Sequence, residues 1–345
     1  MTPGGSGEAV APGGAGPGFH FRRAQDRPQQ ELCELARCAD VLGYRTVWVS
    51  EAWGRDAFLL LARLATVTSR VRLGTGIVNV WGRSPGTLAQ AVATLDEASG
   101  GRAVLGIGVS GPKVVRDWHG AAWREPLARL VEVTDVVRLA LAGGRVDYQG
   151  RHFRLSGFRL QFAPPRREVP IFWGAYGPRA VETAAARADG WLAGELSARQ
   201  WERARRFHES AAKAGREHLE VSLMLQVTAC DTEDQWTQAR RLLRRDLAFR
   251  IAGLGEFHRR SLASQGFGPT CEKVLARWRA GDREGATAAV SDGLVEAMGC
   301  VGSPEEAAAY VARARRAGVT EPVVTVPRGT PTPRILATLA ACARS

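Results

Sequence analysis

Eight short apolar stretches, each followed by helix-forming sequence, constrain the fold of this chain more than any other feature. They are GFHF (18–21), RTVWVS (45–50), RVRLGTGIV (70–78), RAVLGIG (102–108), VPIFWGA (169–175), WLAGE (191–195), LEVSLMLQVTAC (219–230) and EPVVTVP (321–327). Near-continuous apolar strands alternating with amphipathic helices mean a parallel sheet covered on both faces. Eight such units in 345 residues suit a closed (β/α)8 TIM barrel better than an open sheet.

The connecting sequences carry helix signals. In PQQELCELARCADVLG (28–43), Leu32, Leu35, Ala36, Ala39 and Leu42 share one face and Gly43 ends it. Ser84 is placed to cap a helix that begins at Pro85. Two segments break the alternation. GRVDYQGRHFRLSGF (144–158) reads as a hairpin turned at Gln149-Gly150. Residues 231 to about 318 read as mostly helical, a helical insertion between strands seven and eight beside the barrel mouth.

Composition narrows the class. No apolar run approaches the roughly 20 residues of a membrane helix. Residues 1–18 are rich in Gly, Pro and Ala, without the basic start and apolar centre of a signal peptide. They read as a disordered N-terminal arm, leaving 19–345 as one barrel domain in a soluble, cytoplasmic protein. The six cysteines show neither C-x-x-C nor a histidine at metal spacing, so reduced thiols are expected and metal binding is not. The net charge is +12. Its arginines are spread over many helices, as in ARRLLRRDLAFR (239–250), and read as solvated faces rather than a nucleic-acid surface. A polyanionic cofactor or acidic substrate is a better use of this field.

GIGVSG (106–111) matches the dinucleotide fingerprint G-x-G-x-x-G. Three strands precede it, however, and the acidic residue at about the right distance, Glu125, opens a helix instead of ending a strand. In a barrel the same glycines fall at the C-terminal end of strand four, on the face that carries active sites. There Gly108, Val109, Ser110 and Gly111 would let a flat ring or phosphate approach the backbone. A plain strand-to-helix turn is the alternative.

The other strand ends carry comparable signals. Strand two ends in Ser50 and Glu51; Glu51 is placed to orient a ligand or act as an acid, or else is a surface carboxylate paired with Arg55. Trp53 reads as a pocket wall. Strand three ends in Gly76, Ile77 and Asn79, a glycine-loosened end with an amide for a polar ring edge. Strand five turns through Ala175, Tyr176, Gly177, Pro178 and Arg179, a helix start suited to an anion. His119, in RDWHG (116–120), is either an acid–base group or a structural loop residue.

Together LGYRTVWVSEAWGRDAF, RLGTGIVNVWGRSPGTLAQAVATLDEASGGRAVLGIGVSGPKVVRDWHG, VPIFWGAYGPRAVETAAARADGW and VGSPEEAAAYVARARRAGV resemble the bacterial luciferase-like superfamily. They look closest to its branch using coenzyme F420, a deazaflavin, which includes the methylenetetrahydromethanopterin reductase-like proteins. The resemblance implies F420 at the C-terminal ends of the strands and a non-proline cis peptide at Gly76-Ile77. It places the cofactor phosphate near Gly177, Pro178 and Arg179, with the Val109–Gly111 turn lining the cofactor; Ser50, Asn79, Ala175 and Tyr176 complete the expected contacts.

One departure bears on the reaction. Family members that oxidise a sugar alcohol carry a histidine after the acidic residue of strand two and a glutamate in the strand-four turn; here Ala52 and Gly111 stand there. Without that base, alcohol oxidation is disfavoured. The expectation is an F420H2-dependent reductase delivering hydride to an activated C=C or C=N bond of a small-molecule or peptide substrate. The Arg- and Ala-rich composition suggests secondary metabolism. Proton delivery is left among Glu51, His119 and water. The alternative is an FMN-dependent monooxygenase of the same fold using oxygen. A homodimer is the expected assembly, with no nucleic-acid or membrane partner.

Overall fold

The computed structural model describes residues 16–344 except Arg23, Glu195 and Gly255. Among the described residues twelve strands are formed: β1 (Gly18–Phe21), β2 (Thr46–Val49), β3 (Arg72–Thr75), β4 (Val78–Asn79), β5 (Ala103–Gly108), β6 (Val146–Gln149), β7 (Arg154–Phe158), β8 (Ile171–Gly174), β9 (Gly190–Ala193), β10 (Glu220–Ala229), β11 (Gly299–Gly302) and β12 (Glu321–Thr325). Eight of them, β1, β2, β3, β5, β8, β9, β10 and β12, pair in parallel in that order, and β12 pairs directly with β1 to close the ring. The result is the expected (β/α)8 barrel. Of the expected N-terminal arm, residues 1–15 lie outside the described residues, and Gly18 already belongs to β1.

Strand alternation divides the interior into two layers. Phe19, Val47, Val49, Leu73, Leu105 and Val324 face outward into the main core beneath the helices. Trp48, Val104, Phe172, Leu192 and Val323 face the lumen and fill its middle, with Ile77 and Met224 partly exposed above them. The lower end of the lumen holds charge. Arg72 makes a paired contact with Glu220 at 2.8 and 2.9 Å and donates to Thr46 at 3.0 Å. Glu321, fully buried, accepts from Ser222 at 2.5 Å and Trp48 at 3.3 Å. These groups sit at the N-terminal ends of their strands, away from the mouth.

Three expectations need correction. The third apolar stretch is two strands: β3 stops at Thr75, the Gly76-Ile77 peptide is cis, and β4 resumes to pair with β5. The hairpin forms, but Gln149 ends β6 and pairs with Arg154, so the turn is the four residues 150–153. The 231–318 segment contains an unforeseen strand, β11, too rich in glycine to read as one, which extends the edge of β10. The insertion proper runs over helices from 233 to 298. It has an apolar cluster of its own, including Leu243, Leu247, Leu262, Val274 and Leu294. Helix Pro304–Arg316 instead buries Ala307, Val311 and Ala314 in the main core.

Candidate functional site

The C-terminal ends of the barrel strands converge on one mouth, and a hydrogen-bonded chain crosses its β1–β3 side. His20 faces the lumen, because its neighbours Phe19 and Phe21 face the outer core. Its Nε2 lies 2.8 Å from Ser50 Oγ, and Ser50 Oγ donates to the Gly76 carbonyl at 2.9 Å. Since the hydroxyl proton is spent on that carbonyl, His20 Nε2 carries the proton of their contact and Nδ1 is bare. Nδ1 is buried without a hydrogen-bond partner. Burial, and after it the Arg22 charge, push the His20 pKa down to about 3, so the ring is neutral at any working pH.

Across the cis bond, Ile77 is held by glycines on the two next strands. A Cβ at Gly108 would lie 3.1 Å from Ile77 Cδ1, and one at Gly174 would lie 3.1 Å from Ile77 Cγ2. The slot between them carries the Ile77 side chain up as a shelf above the Trp48–Phe172 layer. A Cβ at Gly106 would stand 1.9 Å from the Thr75 carbonyl oxygen. Two glycines of the GIGVSG motif therefore admit the chain's own atoms. Gly111 alone has nothing within 4 Å of its missing side chain. It caps helix Pro112–Asp117, so Pro112 takes the favourable first helical position. Ser110 turns the corner with a positive φ of 56°.

Glu51 is paired with Arg83, not Arg55. The Arg83 guanidinium meets it in parallel at 2.6 and 2.9 Å, and the Ala57 N–H donates to it at 2.9 Å. Arg83 also reaches Asp56, and the Glu51 hydrogen bond leads the causes that raise the Arg83 pKa. Arg55 instead donates to the Ala24 carbonyl. Asn79 is buried and held at both ends of its amide. Its Oδ1 accepts from the Trp81 and Gly82 N–H groups, both at 2.9 Å, leaving Nδ2 to donate to His119 Nε2 at 2.9 Å. His119 therefore holds its proton on Nδ1. Partial burial lowers its pKa, with the Glu51 charge opposing.

At the neighbouring strand end, after β8, Ala175 is buried while Tyr176, Gly177, Pro178 and Arg179 are exposed. Gly177 is the cap of helix Pro178–Arg187 and supplies no side-chain hydrogen bond, so its first N–H groups face outward. Nothing lies within 4 Å of a Cβ at Gly177.

The insertion closes the β10 side with charge. Asp246 and Arg250, both on helix Glu233–Gly253, are buried and paired at 2.9 Å, and Arg22 reaches Asp246 at 2.6 Å. With its amide oxygen turned toward the guanidiniums, the lumen residue Gln226 accepts from Arg22 at 3.0 Å and from Arg250. The arginine run 239–250 is thus not uniformly a solvated face. Among the described residues, no group of three or more His, Cys, Asp or Glu side chains is placed to hold a metal ion.

The pattern of the luciferase-like monooxygenase family matches residues 13–321. The chain belongs to that family. It is 34% identical over 321 residues to the Mycobacterium tuberculosis protein named "Putative coenzyme F420-dependent oxidoreductase Rv3520c", covering 87% of this chain and 91% of that one. It is 30% identical to the 5,10-methylenetetrahydromethanopterin reductase of Archaeoglobus fulgidus, covering 90% and 94%. In three dimensions it matches the coenzyme F420-dependent tetrahydromethanopterin reductase of Methanopyrus kandleri with a TM-score of 0.82 at 24% identity, over 95% and 98% of the two chains.

Within this luciferase-like barrel, Ser50, Gly76, Ile77, Gly108, Asn79, His119 and Glu51 come together on the β1–β5 side of the mouth. Val109, Ser110 and Gly111 form its partly exposed edge. Ala175 to Arg179 stand on the next strand end along the ring, after β8. Reading the sequence missed His20, Arg83 and the Asp246–Arg250 pair. A polar residue inside the short apolar strand GFHF was the available signal for His20. Nothing local marked Arg83, whose partner Glu51 is remote in sequence; the i, i+4 spacing of Asp246 and Arg250 on one helix was the available signal for that pair, while Arg22 reaches it from far away in the chain.

Proposed function

We propose that this luciferase-like protein is a reductase that uses reduced F420 to deliver hydride to an activated C=C or C=N bond of a small-molecule or peptide substrate. The use of F420 follows the names of its relatives. The residues at the mouth fit such a group. The Ile77 shelf and the buried apolar layer below it offer a flat floor, and Gly111 and Gly177 leave open space on either side. The uncapped start of helix Pro178–Arg187, with Arg179, suits a phosphate. When bound, reduced F420 supplies the hydride.

The state of Glu51 carries the preference for reduction. Oxidising an alcohol requires a group that accepts its proton. Here the acidic residue of β2 is occupied by a two-point ion pair with Arg83 and by the Ala57 N–H, and Ala52 follows it. His119 Nε2 is taken by Asn79. The ring of His119 is neutral, with Nε2 accepting from Asn79, so its Nδ1–H positions a water and is not itself lost; water protonates the reduced product, and Glu51 serves to anchor Arg83 and the loop after β2.

Titrating the protein separately with F420 and with FMN tests this reading. Binding of F420 with little affinity for FMN is expected. Tight FMN binding without F420 binding would overturn it in favour of an oxygen-using monooxygenase.

A further inference from the structure

Among the described residues, five aromatic side chains stand exposed, and four of them ring the barrel mouth: Trp53 (55%), Trp118 (42%), Tyr176 (42%) and Phe257 (49%); Phe162 is the exception. They come from four different places in the sequence, namely the loops after β2, β5 and β8 and the insertion helix Glu256–Leu262. Half-exposed rings are also in contact with one another. Trp53 and Trp118 lie 6.4 Å apart between centroids, and Trp118 stacks on His119 at 4.5 Å. A second run passes from Trp81 to Trp123 at 5.8 Å and on to Phe257 at 6.3 Å. The runs join where Asn79 bonds both His119 and the Trp81 N–H.

Large exposed aromatics are unfavourable in water, and their concentration around one opening signals a ligand. The occupant must be planar and apolar where it meets these rings, because indole faces gain most from another π system at an offset or tilted approach. An anionic, flexible cofactor tail has no need of them. A flat partner protein would meet a poor surface, since the exposed side chains of Lys113, Arg116, Asp117 and Arg124 interrupt the rim.

We propose that the aromatic rim is a substrate subsite, and that the substrate carries a planar aromatic ring system that lies against Trp53 and Trp118 while its reducible bond enters the lumen. This rests on the reading of the protein as an F420-dependent reductase. It goes beyond it by fixing the class of substrate.

The test uses the full chain loaded with F420 and two neutral probes. Coumarin carries an unsaturated lactone fused to benzene; a monocyclic unsaturated δ-lactone carries the same acceptor without the arene. Coumarin is expected to bind at least about tenfold more tightly than the lactone. Trp118→Ala should weaken coumarin about tenfold and leave the lactone and F420 unchanged, while Trp118→Phe restores most of the loss. Trp118 is half exposed, so its removal leaves the fold intact. Equal affinity for the two probes, no coumarin binding, or coumarin binding unaffected by both Trp118→Ala and Trp53→Ala would overturn the proposal. So would parallel loss of F420 affinity, which would assign the rings to the cofactor. A Trp118-dependent membrane association with phospholipid vesicles in place of coumarin binding would also overturn it. If F420 itself fails to bind the unaltered protein but coumarin still shows the Trp118 dependence, the reductase reading fails and the aromatic subsite stands.

Discussion

Two glycines five residues apart in one motif should respond to the same substitution in opposite ways. In Gly106→Ala, the new Cβ would stand 1.9 Å from the Thr75 carbonyl oxygen, where such contacts essentially never fall below 3.0 Å. Both partners are backbone of paired strands, so β3 and β5 must separate by at least ~1 Å. Neither can rotate away as a side chain would. The same movement breaks the ring in which Thr75 Oγ1 donates to the Gly106 carbonyl and accepts from the Gly106 N–H, both at 2.8 Å. Overpacking costs about 1–3 kcal/mol and each lost hydrogen bond about 0.5–1.5 kcal/mol net, which together give about 4 kcal/mol. For a chain of this length that lowers Tm by about 6 °C. Gly111→Ala meets no atom within 4 Å, at an ordinary φ of −108°. A small loss of capping preference and a small gain from a stiffer unfolded chain nearly cancel, leaving about 0.5 kcal/mol or less. Urea unfolding of both variants followed by circular dichroism measures the contrast. A Gly106→Ala protein within about 1 kcal/mol of the parent, or a Gly111→Ala protein that loses as much as Gly106→Ala, would refute the account of the motif.

Other consequences follow from the same geometry. His20 titrates near 6.5 when unfolded and at about 3 when folded. The unfolded chain therefore binds the extra proton between those values, and stability should rise with pH across that window by about 1.4 kcal/mol per unit. His20→Asn should flatten the dependence of the urea midpoint by one proton; an unchanged slope would show that the ring titrates normally. Ser50→Ala removes the bridge between His20 and Gly76. It should cost about 2 kcal/mol and weaken F420 binding, measured by denaturation and by titration. Arg83→Met leaves the Glu51 carboxylate buried beside the mouth without its cation and should cost about 3 kcal/mol. Adding Glu51→Gln should recover part of that loss, and strict additivity would argue against the pair.

How much could be read beforehand depended on whether a property was local. Strand and helix positions come from periodicity over a few residues, so the eight βα units and hence the barrel were legible. The Ser84 cap and the Pro85 start formed as read, with Ser84 Oγ accepting from the Thr87 N–H at 3.1 Å. The Gly76-Ile77 cis bond, implied by family resemblance alone, is present. The alternative reading of Glu51, a surface carboxylate paired with Arg55, does not hold, because Arg55 turns back to Ala24 while Arg83 arrives from the next strand end. Arg250 was misread because a helix that looks amphipathic on average still places one guanidinium in the mouth, paired with Asp246.

The sequence by itself determined the barrel and the kinship with luciferase-like proteins, because apolar periodicity and contiguous motifs are properties of neighbouring residues. Only the tertiary structure decided what each strand end does there. Closing eight strands brings His20, Ser50, Gly76, Ile77, Gly108 and Gly174 to one rim from positions up to about 150 residues apart. Which glycine faces protein and which faces open space then depends on the approach of the neighbouring strand. Which carboxylate is held depends on the cation delivered from the next loop, a distance relation that spacing along the chain does not encode.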